Sequence, residues 1–349
     1  MPSDPRELHE AAIANGWSDG LPIIPPTPEL VEALIACGDR DALDVIGVLP
    51  PGHGLVTVEV VAANAAMAGC EPRAFPVVLA AVEAILDESH NVAGMNATTH
   101  PVAETIVVSG PIAEELGIHS GSGCFGPAFP ANASIGRAIR LVLLNIGGAQ
   151  PGRGDRATQG TPAKFASCFA ENAEANPWEP FHVARGLEAG ASAVTVFGSE
   201  GPHNIRDGDS NTGEGLLRTI AGAMSQPGSN NILNRGNPLL ALCPEHAALL
   251  AGDGWTRERI REWLFEHARY PAGKLSPELR RAIAVRRVPE GDVPEGGQER
   301  FDDDVMLPIA EAPEDIQVVV AGGAGKHSAW FPSWGRLSRP VTVPIAARR

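Results

Sequence analysis

Lysine is nearly missing from this 349-residue chain: only Lys164, Lys274 and Lys326 occur among 27 basic residues. Positive charge is made almost wholly by arginine, so each remaining lysine marks a place where a compact ammonium serves better than a planar guanidinium. Basic residues are also outnumbered, 27 against 42 acidic ones, for a formal charge of −15. That deficit excludes a nucleic-acid binder held by phosphate contacts. Cysteine is scarce and scattered, five residues at 37, 70, 124, 168 and 243 without a CxxC, which points to free thiols rather than to a disulfide framework or zinc ribbon. No apolar run approaches the ~18 residues of a membrane span, and the opening residues are acidic and polar where a secretory signal would be basic and then apolar. These absences predict a cytoplasmic protein with neither a membrane nor a nucleic-acid partner.

What is present predicts an α/β fold. Hydrophobic residues, 44% of the chain, suffice for a sizeable core, and 39 glycines with 31 prolines require many shaped loops. Residues 1–40 read as an arm: a short helix to about Asn15, then the stiff Leu21-Pro22-Ile23-Ile24-Pro25-Pro26, which must be extended. Such an arm packs across another subunit or lobe, and a homo-oligomer is expected. Thr57 is placed to cap a helix over 58–68 closed by Gly69, with a second apolar helix at about 74–87. Four apolar runs, 105–108, 193–197, 239–242 and 316–320, read as buried strands. Helices fill the intervals at about 133–145, 213–224, 244–251, 257–268 and 276–284, with Trp255 stapled onto Ile260. The expected architecture is a layered, mostly parallel sheet flanked by helices. A faint echo of Val108-Ser109-Gly110-Pro111 in Leu242-Cys243-Pro244 suggests two related lobes, over 41–185 and 186–349. Pro289 to Asp304 reads as a solvated acidic loop.

Ligands of open α/β sheets bind beyond the carboxyl ends of the strands, where this chain places His119, His203, His246 and His327. The run from His119 through Ser120, Ser122 and Gly123 to Cys124 leads into a helix carrying Arg137, a setting that suits a bound anion and a stabilised thiolate. Gly322-Gly323-Ala324-Gly325-Lys326-His327-Ser328 fails as a phosphate loop, because Val320 takes the first glycine position and His327 replaces the Ser/Thr that would hold Mg²⁺. What survives is a nest of N–H donors with one lysine, fit for a carboxylate, a thioester oxygen or a single phosphate. A third region gathers Lys164, Glu171 and His182; Glu171 serves as a base if desolvated, or as half of an ion pair with Lys164.

Candidate catalytic residues are therefore His119, Cys124, Glu171, His203 and His327. Candidate substrate-binding residues are Ser120, Ser122, Gly123, Arg137, Lys164, Asn204, Gly323, Gly325, Lys326 and Ser328. With no HExxH, GxGxxG or GxSxG at the required places, no metal and no organic cofactor is expected. The reading is an enzyme of lyase or hydrolase type acting on a small anionic or carbonyl-bearing metabolite. A thiol-dependent enzyme centred on Cys124 and a non-catalytic anion-binding protein are the alternatives.

Several motifs carry a resemblance: Gly16-Trp17-Ser18-Asp19-Gly20-Leu21-Pro22, Asn64-Ala65-Ala66-Met67-Ala68-Gly69-Cys70, Ala97-Thr98-Thr99-His100-Pro101, Phe125-Gly126-Pro127 with Ile135-Gly136-Arg137-Ala138, and Pro244-Glu245-His246-Ala247. Together they resemble a bacterial family related to the UGSC-motif proteins, named for a selenocysteine- or cysteine-Gly-Ser-Cys signature. The resemblance covers most of the chain and implies an α/β catabolic enzyme. The chain departs from the signature after the strand at 316–320, where Gly325-Lys326-His327-Ser328 leaves no dithiol.

Overall fold

A computed structural model describes residues 4–287 and 303–346. The chain opens with α1 (Pro5–Ala14), α2 (Pro28–Ile35) and a hairpin of β1 (Val45–Leu49) and β2 (Gly54–Thr57). Helices α3 (Val58–Ala68), α4 (Phe75–Leu86) and α5 (Val92–Ala97) lead into β3 (Ala103–Ser109). Then come α6 (Ile112–Glu115), α7 (Pro130–Asn145), β4 (Cys168–Ala170), α8 (Phe181–Ala184), β5 (Ser192–Ser199) and β6 (His203–Arg206). Helices α9 (Gly213–Met224) and α10 (Asn230–Asn234) precede β7 (Leu239–Leu242), followed by α11 (Pro244–Gly252), α12 (Arg257–His267), β8 (Arg269–Pro271) and α13 (Pro277–Arg287). The last strands are β9 (Met306–Pro308), β10 (Gln317–Val320), β11 (His327–Phe331) and β12 (Val341–Ile345). Of the acidic stretch Pro289 to Asp304, all but the last two residues lie outside the described ones.

Local chemistry sets the helix ends where the sequence places them. Thr57 accepts a hydrogen bond from the Val60 N–H at the start of α3, and Gly69 ends that helix at φ +83°, a conformation that favours glycine. Thr256 caps α12 by accepting from the Arg259 N–H, while Trp255 and Ile260 share one core.

The fold is mixed α/β, and its sheets are mixed rather than mostly parallel. One four-stranded sheet has the order β12-β5-β3-β4 and the other β10-β7-β11-β6. In the first, β3 runs parallel to β4 and antiparallel to β5, which pairs antiparallel with β12. In the second, β7 runs parallel to β10 and antiparallel to β11, which pairs antiparallel with β6. The two sheets thus repeat one arrangement, with the outermost strands exchanged. After β5 the chain leaves its sheet to place β6 beside β11, and after β11 it returns to place β12 beside β5.

Alternation along the strands divides the core. Ile106 and Val108 of β3 face a core shared with α3, α4 and α7, while Val107 between them faces the opposite way. Leu240 and Leu242 of β7 pack with residues of α9, α11 and α12. The remaining faces meet each other: Val107, Phe169 and Phe197 of the first sheet share a core with Leu239, Val319 and Phe331 of the second. Burying aromatic rings on both sides of this seam fixes the sheets against one another.

The N-terminal segment folds back on its own chain. Ile23 packs with Met67 of α3 and with Leu141 and Leu144 of α7, and the Ile24 N–H donates to the Met67 carbonyl. Among the described residues no helix is long and apolar enough to cross a membrane.

Candidate functional site

The seam between the sheets opens into a cavity of about 640 Å³ where the chain passes from β5 to β6. Its wall is largely apolar, with Phe125, Phe165, Phe169 and Phe331, and among its polar residues are Glu200 and His203. Antiparallel register explains their placing. Ala103 at the start of β3 pairs with Ser199 at the end of β5, so His100, just before β3, comes opposite Glu200, just after β5.

The His100 Nε2 lies 2.9 Å from Glu200 Oε1, and the His203 Nε2 lies 3.3 Å from Glu200 Oε2. His203 Nδ1 lies 3.2 Å from the Gln226 side-chain Oε1, so both ring nitrogens face acceptors, which favours the protonated ring. Burial alone would raise the Glu200 pKa, but hydrogen bonds and charge from the two imidazoles overcome it and bring the carboxyl down to about 2. In return the bond to Glu200 raises the His203 pKa above its ordinary value, against a smaller opposing effect of burial. A histidine that holds its proton more tightly than usual beside an apolar cavity is suited to proton donation.

Cys124 lines the same cavity but is a poor nucleophile. It is buried, and burial outweighs the nearby backbone N–H groups, pushing its thiol up to about 11. The expected stabilised thiolate at this loop is not what the structure holds.

A second cavity, of about 570 Å³, shares Gly160, Thr161, Pro162 and Phe165 with the first and is lined by Arg140, Lys164 and Asp155. Lys164 donates to Asp155 at 2.5 Å, and Arg140 lies 3.6 Å from the same carboxylate. Near them burial pushes the Glu104 carboxyl up, toward its neutral form. Arg140 and Lys164 share Asp155, and Asp19, the other carboxylate of the lining, is paired with Arg137, an arrangement that favours a further anion.

The other candidates are distributed around these cavities. The loops at 119–127, 198–209 and 322–328 touch: the Gly322 N–H donates to the Ser120 carbonyl, and Lys326 Nζ donates to the Gly208 carbonyl. Gly323 lies hard against Ser122, and the backbone after Ser122 turns through Gly123 at φ +77°. His119 is stacked on Phe129 at 3.7 Å between ring centres, with Nε2 2.9 Å from the Ser122 carbonyl; it braces the loop and lines neither cavity. His327 and Asn204 pair with each other at 2.8 Å on exposed positions of β11 and β6.

Four candidates are engaged with partners in the protein itself. Arg137, expected to bind substrate, spends its guanidinium on Asp19 and on the carbonyls of Leu21 and Pro22. Glu171 accepts from the Phe181 N–H and from Asn176, lines neither cavity, and is not the partner of Lys164, which reaches Asp155 instead. Burial pushes the Glu171 carboxyl up to about 7, against the opposing Phe181 N–H and Arg257 charge, so it is a desolvated acid within the core. Gly325 and Ser328 have partners of their own: the Gly325 N–H donates to Glu245, and Ser328 accepts from the Cys243 N–H.

Sequence reasoning passed over His100, Glu200 and Arg140 as site residues. His100 and Glu200 are a hundred positions apart, and only the β3–β5 register unites them. No family model, curated protein or solved structure matches the chain.

Proposed function

We propose that the protein is an enzyme of lyase or hydrolase type, moving protons on a small metabolite that carries both a carboxylate and a carbonyl group. The observation behind this reading is the pair of adjoining cavities, one lined by Glu200 and His203, the other by Arg140 and Lys164. The carboxylate would rest against Arg140 and Lys164, while the carbonyl end crosses the shared wall and takes a proton from His203. Glu200 holds that ring in place, the carbonyl oxygen displaces the Gln226 oxygen from Nδ1 to reach the proton, and solvent returns a proton to the ring afterwards. In the apolar cavity the charge that develops on a carbonyl oxygen is poorly solvated by water, so a fixed imidazolium stabilises it more than solvent would.

The motifs that carry the family resemblance support the same reading, since Ser18, Asp19, Pro101 and Phe125 all line one cavity or the other. The repeated strand arrangement supports two related lobes, with the catalytic cavity at their crossover.

The test is a comparison of small oxo and hydroxy acids with their matching amides by thermal shift and calorimetry, followed by turnover assays on the binders. Acids should bind and amides should not, and Lys164→Met should abolish the difference. Equal binding of acids and amides to the parent protein would sink the reading.

A further inference from the structure

At the loop end of the second sheet, three buried side chains form a cluster that belongs to neither cavity. Cys243 follows β7 and is the residue before α11, where helical N–H groups favour negative charge. His246, three residues on, comes back over the same helix end. Its Nε2 lies 2.8 Å from the Asp207 carbonyl, an acceptor only, so this nitrogen carries a proton in both charge states. Its Nδ1 lies 2.7 Å from Ser328 Oγ, which accepts the Cys243 N–H at 3.0 Å.

Burial by itself would raise the Cys243 pKa, but the adjacent His246 imidazole, the His246 backbone N–H and the Ser328 hydroxyl more than reverse this, leaving the thiol below its ordinary value. His246 moves the other way: burial lowers its pKa, and contacts with Cys243 and Asp207 raise it above normal.

We propose that Cys243, Ser328 and His246 form a reactive site, distinct from the cavities above, in which the Cys243 sulfur attacks the carbonyl carbon of an activated acyl group. Ser328 is the relay: its hydroxyl accepts the thiol proton as its own proton passes to His246 Nδ1. Attack forms the C–S bond and pushes the carbonyl electron pair onto oxygen. Return of that pair breaks the bond to the leaving alcohol or thiol, which takes the proton from His246. Water then adds to the thioester, His246 accepting a proton from it, and the C–S bond breaks to give the acid and a thiolate, which regains that proton from His246 through Ser328.

The cover over the site suits a ligand that enters by displacing a strap. Cys243 is 2% exposed, and residues 321–328 are bonded on both sides of it: the Ala321 N–H to the Leu242 carbonyl, the Gly325 N–H to Glu245 Oε1 and Ser328 to His246. The other Glu245 oxygen, Oε2, is buried without a hydrogen-bond partner, an acceptor open to an incoming donor. Gly322 and Gly325 have left-handed φ of +110° and +138° and no neighbour that an added Cβ would meet, so the strap turns at these two points, between anchors at Ser120, Ser122 and Gly208.

The experiment uses the intact protein with iodoacetamide and p-nitrophenyl acetate, read by mass spectrometry at each cysteine across a pH series. The charged group acting on the thiol is His246, on which Asp207 acts in turn, and Cys37, partly exposed, is the internal comparator. Expected is alkylation of Cys243 at least ~10-fold faster than that of Cys37 near pH 6, where an ordinary thiol is almost wholly protonated. An acetyl group should appear at Cys243 with one equivalent of nitrophenolate. Ser328→Ala and His246→Gln should each move the pH midpoint at Cys243 upward while leaving Cys37 unchanged, and Ser328→Thr should restore it. Absence of labelling at Cys243, or a pH profile parallel to that of Cys37, would overturn the proposal. None of these readings depends on His203 or Lys164, so they stand or fall apart from the cavity assignment.

Discussion

Arg137 on α7 holds Asp19 of the N-terminal segment through two nitrogens, Nε at 2.9 Å and Nη2 at 2.8 Å, and Nη2 also donates to the Pro22 carbonyl at 2.9 Å. Burial raises the Asp19 pKa and the Arg137 contacts more than offset it, so the carboxyl lies below its ordinary value. The pair is mostly shielded, with Asp19 at 3% and Arg137 at 15% side-chain exposure. Removing one partner therefore strands the other away from water. Arg137→Ala should cost about 2–4 kcal/mol by urea unfolding and speed proteolysis near Trp17. Because Asp19 lines the cationic cavity, ligand affinity should fall in the same variant; unaltered proteolysis would show that the segment is held otherwise.

Glu171 gives a pH signature of definite sign. Its carboxyl is raised from 4.5 to about 7, so the folded state binds this proton more tightly than the unfolded chain does. The stability it contributes is full below about pH 4.5 and is lost as pH rises through 7. His90 works oppositely: burial pulls it from 6.5 down to about 4, so its contribution is full above 6.5 and is lost as pH falls toward 4. Subtracting the parent from Glu171→Gln cancels His90. The stability of the variant relative to the parent should rise by roughly 2–3 kcal/mol between about pH 5 and 7 and then level off. A flat difference would mean that Glu171 titrates normally.

Much of the helical frame is legible in the sequence because it is written in local chemistry: Thr57 and Gly69 bound α3, and Thr256 opens α12. The sheets are less legible because their antiparallel members are short or disguised. β6 spells His-Asn-Ile-Arg, β11 begins directly after the glycine run at 322–325, and β12 contains Pro344, tolerated at a sheet edge. Missing these strands hides part of the antiparallel pairing, and β3 and β5, both legible, pair antiparallel through a register that the sequence does not show. The site suffers likewise: His203 is visible from its place after a strand, but its partners depend on register. For Cys243 and His246 a local signal did exist, a cysteine and a histidine three apart across a helix start, which points them at one spot.

Gly323 should tolerate no side chain. An added Cβ would stand 2.6 Å from Ser122 Cβ, 2.7 Å from its Cα and 2.8 Å from its nitrogen. Because two of those atoms are backbone, Ser122→Gly should not rescue Gly323→Ala, which should lose about 1–3 kcal/mol. Gly222, in the exposed face of α9 with nothing within 4 Å of an added Cβ, is the control. Gly222→Ala should gain about 0.5–1 kcal/mol, since alanine loses less entropy in a helix. Equal effects at both positions would remove the steric explanation.

The two cavity residues first singled out as catalytic should separate by substitution. His203 has both ring nitrogens against acceptors, Glu200 Oε2 and Gln226 Oε1, and a bound carbonyl would reach its proton by displacing the neutral Gln226 oxygen from Nδ1. Cys124 presents a thiol pushed up to about 11, protonated throughout the working range, so its sulfur contributes shape and little chemistry. For any acid that the parent turns over, His203→Gln should lower kcat/KM by at least ~10²-fold, the usual worth of a positioned general acid. Cys124→Ser should stay within ~3-fold, because the smaller hydroxyl fills nearly the same place on the wall. The pH profile adds a check independent of magnitude. Since the bond to Glu200 raises the His203 pKa, activity should fall on the alkaline side as that proton is lost. Glu200→Gln weakens the hold on the imidazolium and should move that alkaline limb to lower pH. A limb that stays in place in Glu200→Gln, with kcat unchanged, would take His203 out of the reaction.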